Sequence, residues 1–172
     1  TVAALSMNKF VHPVNSNEKS LLKLIDLNND NYFYFGKANY KPSEKLNRQG
    51  RLLLGTNKSG IFSFNTEYAI LKKFNEKGNL LWEKNLNIDS LSGISEYLNK
   101  MKRKNDSYPL TYARDLQVYP YGVAILLNTP PDSMPATVLW VPNNGDEIHI
   151  VEYPTIQIPF TFTFRFRISA EH

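Results

Sequence analysis

The residues best spaced for chemistry in this chain are Asp26, Asn28 and Asp30, at the first, third and fifth positions of a short polar loop. Calcium and similar hard cations take oxygen ligands at that spacing. The remainder of a calcium loop is missing. Asn31 stands at the sixth position, where a glycine makes the sharp turn, Tyr34 at the ninth, and Lys37 at the twelfth, where a glutamate would bind through both oxygens. The expectation is a hairpin turn in which Asn and Asp side chains cap their own backbone, with no metal site.

Other candidate groups are scattered. His12, His149 and His172 lie far apart in sequence, and His149 shares one face of an alternating strand with Glu147. Such histidines read as surface residues. Asp115, Asp146 and Glu147 have no spacing that makes a catalytic carboxylate pair. No metalloprotease, nucleophile-elbow or phosphate-loop pattern occurs. No catalytic, metal or cofactor-binding residue is assigned, and no cofactor is expected.

Three further groups suit contact more than catalysis. Lys100, Lys102, Arg103 and Lys104 form a basic run around Met101 that reads as the solvated end of a helix, although phosphate or an acidic partner would suit it too. Arg165 and Arg167 share one face of an otherwise apolar strand, so that face meets water, an acidic neighbour or nucleic acid. Tyr119, Tyr121 and Trp140 could stack on a sugar, and ordinary packing accounts for them equally well.

The elements that position these residues are mostly strands. The 172 residues are 42% hydrophobic and 13% aromatic, with ten Tyr and ten Phe, which favours half-buried pleated surfaces and excludes general disorder. There is no cysteine, so disulfides, thiolate chemistry and cysteine-bound zinc are out, while the compartment stays unassigned. The formal charge of +4 is a mild excess, below the concentrated footprint of a dedicated nucleic-acid binder. No apolar run approaches the roughly 18 residues of a membrane helix. The first residue is Thr1 with no methionine, the expectation for a processed chain or one cut from something longer.

A single β domain is expected over residues 1–172, in five parts. Residues 1–20 read as an arm or edge strand, because Pro13 cannot donate to a central ladder. Residues 21–86 form a first β unit. Residues 90–104 form one amphipathic helix, with Leu91, Ile94, Leu98 and Met101 at three- and four-residue spacing. Residues 112–154 form a second β unit, and residues 155–172 a closing strand whose Phe face alternates with Thr and Arg. Long loops are expected at 37–51 and 128–136.

The two β units repeat one outline of strand, turn glycine, strand, Asn-Thr, strand, turn glycine, strand. Gly60, Asn65-Thr66 and Gly78 correspond to Gly122, Asn128-Thr129 and Gly145, at offsets that grow from 62 to 67 residues. Phe74-Asn75-Glu76-Lys77-Gly78-Asn79-Leu80-Leu81-Trp82 resembles the Asp-x-x-Gly-x-x-x-Trp ending of blades in pyrroloquinoline-quinone-type bacterial β-propellers, with Asn75 where Asp is frequent. Asp26 to Tyr32 is similar to the calcium-type loop of FG-GAP propeller repeats, followed here as there by a strand and Gly36. The resemblance implies propeller-like blades. The repeat is longer than the roughly 40–50 residues of ordinary blades, so a β-sandwich or jelly roll stays equally open.

The expected fold is therefore mainly β, with antiparallel sheets and one helix. The expected function is a non-catalytic binding or assembly module, presenting loops and strand edges to a protein or glycan partner. Two alternatives stand beside it. One is a jelly-roll subunit of a capsid-like or tail-like assembly, for which the mild basic excess would suit nucleic acid or adjacent subunits. The other is a carbohydrate-active or quinone-binding propeller enzyme.

Overall fold

Runs of branched and aromatic residues, punctuated by Asn, Asp and Gly, form twelve antiparallel strands among the described residues. The computed structural model describes residues 3–6, 9–13, 20–37, 52–66, 68–88, 112–127 and 136–153, with 91, 94, 96, 97 and 100 between them. The strands fall into three sheets of four, and in each sheet neighbours in sequence are neighbours in space. Sheet 1 holds β1 (Ala3–Ser6), β2 (Lys9–Pro13), β3 (Ser20–Asp26) and β4 (Asn31–Lys37). Sheet 2 holds β5 (Leu52–Asn57), β6 (Gly60–Asn65), β7 (Ile70–Phe74) and β8 (Leu80–Asn85). Sheet 3 holds β9 (Ala113–Tyr119), β10 (Gly122–Leu127), β11 (Ala136–Pro142) and β12 (His149–Tyr153).

Sheet 2 lies between the other two. Strand side chains alternate between faces, and the two hydrophobic cores divide β5 and β6 accordingly. Leu53, Phe62 and Phe64 pack with Val123, Ile125, Leu139 and Val141 of sheet 3. Leu52, Leu54 and Ile61 pack with Val11, Leu22, Leu24 and Phe35 of sheet 1. Every residue of β6 is buried as a result. The first strands of the sheets run side by side. Gly55 on β5 sits where a Cβ would meet Val118 of β9 at 2.3 Å, and the Thr56 hydroxyl donates to the Ala4 carbonyl of β1.

The mainly β, antiparallel expectation holds, and strand pairing corrects two of its details. Within residues 1–20, β1 lies at the edge of sheet 1, whereas residues 9–13 are neither arm nor edge, because β2 is paired on both sides, by β1 and by β3. Pro13 is tolerated because it is the last residue of the strand, opposite Leu22, where the ladder stops. The expected unit 21–86 is divided, since β3 and β4 complete sheet 1 while β5 to β8 form sheet 2.

Of the expected helix, Ile94, Glu96, Tyr97 and Lys100 have helical backbone, and Ile94 is buried in the core shared by sheets 2 and 3. Lys100 and Glu96 form an ion pair one turn apart at 2.9 Å, which holds the Glu96 carboxyl below its ordinary value. The ends of that helix lie outside the described residues, as do the loops 38–51 and 128–135 and the closing strand expected at 155–172.

Candidate binding surfaces and the seams that position them

The repeat landmarks act at the seams between sheets. Asn65 ends β6, and its side-chain oxygen accepts the Tyr68 N–H at 3.0 Å, turning the chain into β7. Asn75 does similar work at the next corner. Its side-chain oxygen accepts the N–H groups of Lys77 and Asn79 at 3.0 and 2.9 Å, and this folds a turn with Gly78 at φ +80°. A left-handed residue at such a position is most easily glycine.

Gly78 is also pressed against sheet 1. A Cβ there would lie 2.7 Å from Phe35, on the fourth strand of that sheet. Phe74 completes the contact, edge-on to Phe35 with ring centres 5.2 Å apart, and a Cβ on Gly36 would be 3.1 Å from the Phe74 ring. The first seam is thus a glycine turn of the following sheet seated on an aromatic of the preceding sheet's last strand.

The second seam repeats this device. Gly145, at φ +76°, belongs to the turn between β11 and β12, and its Cβ would lie 3.1 Å from the indole of Trp82 on β8. Here the surroundings are polar. The Asn143 carbonyl accepts from Lys73 Nζ at 2.9 Å and from the Trp82 indole N–H at 3.0 Å. The Asn143 amide donates to the Pro120 carbonyl at 2.6 Å. The Asn57 amide donates to the Tyr119 carbonyl at 2.6 Å and reaches the Asn143 side-chain oxygen at 3.2 Å. Lys73 is buried, and burial pushes its ammonium below the ordinary lysine value. Its charge faces the Phe62 ring at 5.3 Å as well as the carbonyl. A long cationic side chain in a buried strand was visible in sequence as Lys72-Lys73 within Ile70–Phe74, and its partner was not.

Between sheets 1 and 2 a cavity of about 50 Å³ touches Ser63, Lys72 and Leu52. It has room for water, whereas small-molecule sites are several-fold larger. Lys72 crosses its rim to the Lys37 carbonyl at 3.2 Å and pairs with Glu83 at 3.0 Å.

The outer faces carry the surfaces available for recognition. On sheet 1, Tyr32 and Tyr34 are exposed and meet edge-to-face at 5.8 Å. Lys23, on the strand beside them, places its ammonium 3.8 Å from the Tyr32 ring centre and 5.6 Å from that of Tyr34. On sheet 3, β12 exposes His149, Ile150, Val151 and Glu152.

The residues singled out in sequence distribute as follows. Asp26 holds its own turn, its oxygens accepting from Asn28 N at 3.0 Å and Asn29 Nδ2 at 3.2 Å, with Lys9 at 3.5 Å. Solvent exclusion opposes its ionisation, but the Asn28 bond, the Lys9 charge and the Asn29 bond outweigh it and hold the carboxyl below its ordinary value. Among the described residues no three His, Asp or Glu side chains gather as metal ligands.

Asp115 accepts from Leu116 N at 2.9 Å on β9, while Asp146 accepts from the Asn144 amide at 2.7 Å in the β11–β12 turn. Glu147 lies 4.0 Å from His149. Tyr119 and Trp140 do come together, with ring centres at 5.8 Å, and Tyr121 projects from the adjoining turn. His12 lies on β2, its side chain outside the described set, and Arg165, Arg167, His172 and the basic run beyond Lys100 lie outside it entirely. No helix among the described residues is long and apolar enough to cross a membrane. No family model matches the chain, and neither a curated protein nor a solved structure does.

Proposed function

We propose that this chain is a non-catalytic binding or assembly module whose outer sheet faces and turns engage a protein or glycan partner. The observation that carries this reading is the contrast between sheets. The middle sheet is covered on both sides, while sheet 1 sets Tyr32, Tyr34 and Lys23 on its far face as an aromatic and cationic patch. Two aromatics with a polar tip and one ammonium suit a sugar ring or an acidic protein surface.

A blade-like reading of the sheets accompanies it. Each sheet is a four-stranded meander, the first strands β1, β5 and β9 run side by side, and each seam uses a glycine turn on an aromatic. These features support propeller-like stacking over a jelly roll, whose long crossovers would place strands out of sequence order.

The test compares the wild-type chain with Tyr32→Ser/Tyr34→Ser on a glycan array and against acidic peptides. Loss of a bound ligand in the variant, at unchanged thermal stability, supports the reading. Ligands retained equally by both proteins, or turnover of a bound glycan, overturn it.

A further inference from the structure

The seam device has a direction, and each end of the sheet stack displays one unused half of it. Gly78 of sheet 2 sits on Phe35 of sheet 1, and Gly145 of sheet 3 sits on Trp82 of sheet 2. In both seams the turn between the third and fourth strands of one sheet seats on the fourth strand of the sheet before it.

Sheet 1 has the corresponding turn, Leu27–Asp30, and it is open, with Leu27 59% exposed. Asp30 supplies its left-handed residue, at φ +47°. Sheet 3 has the corresponding fourth strand, β12. His149 follows Gly145 by four residues, as Trp82 follows Gly78. It lies opposite Trp140, as Trp82 lies opposite Lys73. His149 and Val151 are exposed on the face turned away from sheet 2, Val151 by 38%. The inner part of that face, at Ala124 and Val138, is buried, so the open ground is β12 itself.

We propose that two copies of this chain associate head to tail, the Leu27–Asp30 turn of one seating on β12 of the other. The contact would use the same turn and the same strand as the two internal seams, with Asp30 in the glycine's place and His149 in the ring's. A head-to-tail contact is heterologous, so two copies close a pair through two identical junctions when the rotation allows, and otherwise extend. The inference rests on the assembly-module reading and names its partner as the chain itself.

Sedimentation velocity of the full chain over a wide concentration range tests it. Wild type shifts to larger species as concentration rises. Leu27→Lys, which spoils only the turn, and Val151→Lys, which spoils only β12, each weaken self-association by about tenfold or more. Leu27→Gln, a milder change at the same exposed site, gives the same direction if the lysine variant folds poorly.

The decisive arm is the mixture. Each variant keeps the half that the other lacks, so a one-to-one mixture regains a heterodimer. A wild type that is monomeric throughout overturns the proposal, as does a mixture no larger than its components, which would indicate face-to-face pairing or none. If the chain is monomeric while Tyr32→Ser/Tyr34→Ser still loses a glycan or peptide ligand, the pairing falls and the binding-module reading stands.

Discussion

The seam between sheets 1 and 2 and the seam between sheets 2 and 3 use the same turn-on-aromatic contact in opposite surroundings. In the first, Gly78, Phe35, Phe74 and Gly36 meet ring to backbone with apolar neighbours. In the second, Gly145 and Trp82 are framed by the Lys73, Asn57 and Asn143 hydrogen bonds. The difference shows what each kind of contact is for. Ring packing supplies stabilisation that grows with buried apolar area. A half-buried polar latch contributes less net energy, but it punishes misplacement where an unmade bond leaves a desolvated group behind, as at Lys73. Sheet 3 therefore has both, a hydrophobic core shared with sheet 2 and a polar latch that fixes its position.

Truncating the seam aromatics has the largest expected effect. Phe74→Ala removes a fully buried ring from the first seam and should cost about 3–5 kcal/mol in denaturant unfolding. Trp82→Ala, at a half-buried site, should cost less and should also remove one of the two donors to the Asn143 carbonyl. A larger loss at Trp82 would reverse the ranking of the seams.

Substituting the seated glycines has the next largest effect. Gly78→Ala and Gly145→Ala each force a Cβ into a left-handed position, at about 1–3 kcal/mol. Gly78→Ala should be the worse, because its Cβ would meet Phe35 at 2.7 Å against 3.1 Å for Gly145 and Trp82. Trp82 fluorescence should shift in Gly145→Ala and stay unchanged in Gly78→Ala.

The smallest effect concerns the unused turn of sheet 1. The Asp26 carboxyl titrates below its ordinary value in the folded chain, so its contribution is complete above the ordinary carboxylate range and fades as pH falls through the folded value. Asp26→Asn should flatten the acid limb of a stability-against-pH curve while leaving both seams intact.

The hairpins were legible because Gly78 and Gly145 punctuate runs of apolar residues, and Asn65 and Asn75 mark corners by their own hydrogen bonding. Sheet 1 was harder to recognise as a third unit. Its turn replaces the glycine with Asp30 in a left-handed conformation, and Pro13 mimicked an edge. The seams themselves were hidden. Nothing in the spacing says that a turn glycine will meet a ring on a different sheet, or that Lys73 and Asn143, 70 positions apart, share a hydrogen bond. Such pairings depend on which sheets stack, a property of the assembled chain. The Asp26 to Asp30 loop illustrates the reverse case, where local hydrogen bonds were readable and the turn they build is the one observed.

Amide hydrogen exchange, followed by mass spectrometry at low and high protein concentration, reads both the stacking order and the pairing of the two ends. A stack with a doubly covered middle sheet and two mating outer surfaces predicts slowest exchange in β6 at either concentration. It also predicts protection of β12 and of the Leu27–Asp30 turn that rises with concentration. Exchange in β6 as fast as in β4 or β12 would contradict the stacking order, and outer-face protection that never changes with concentration would contradict the mating of the two ends.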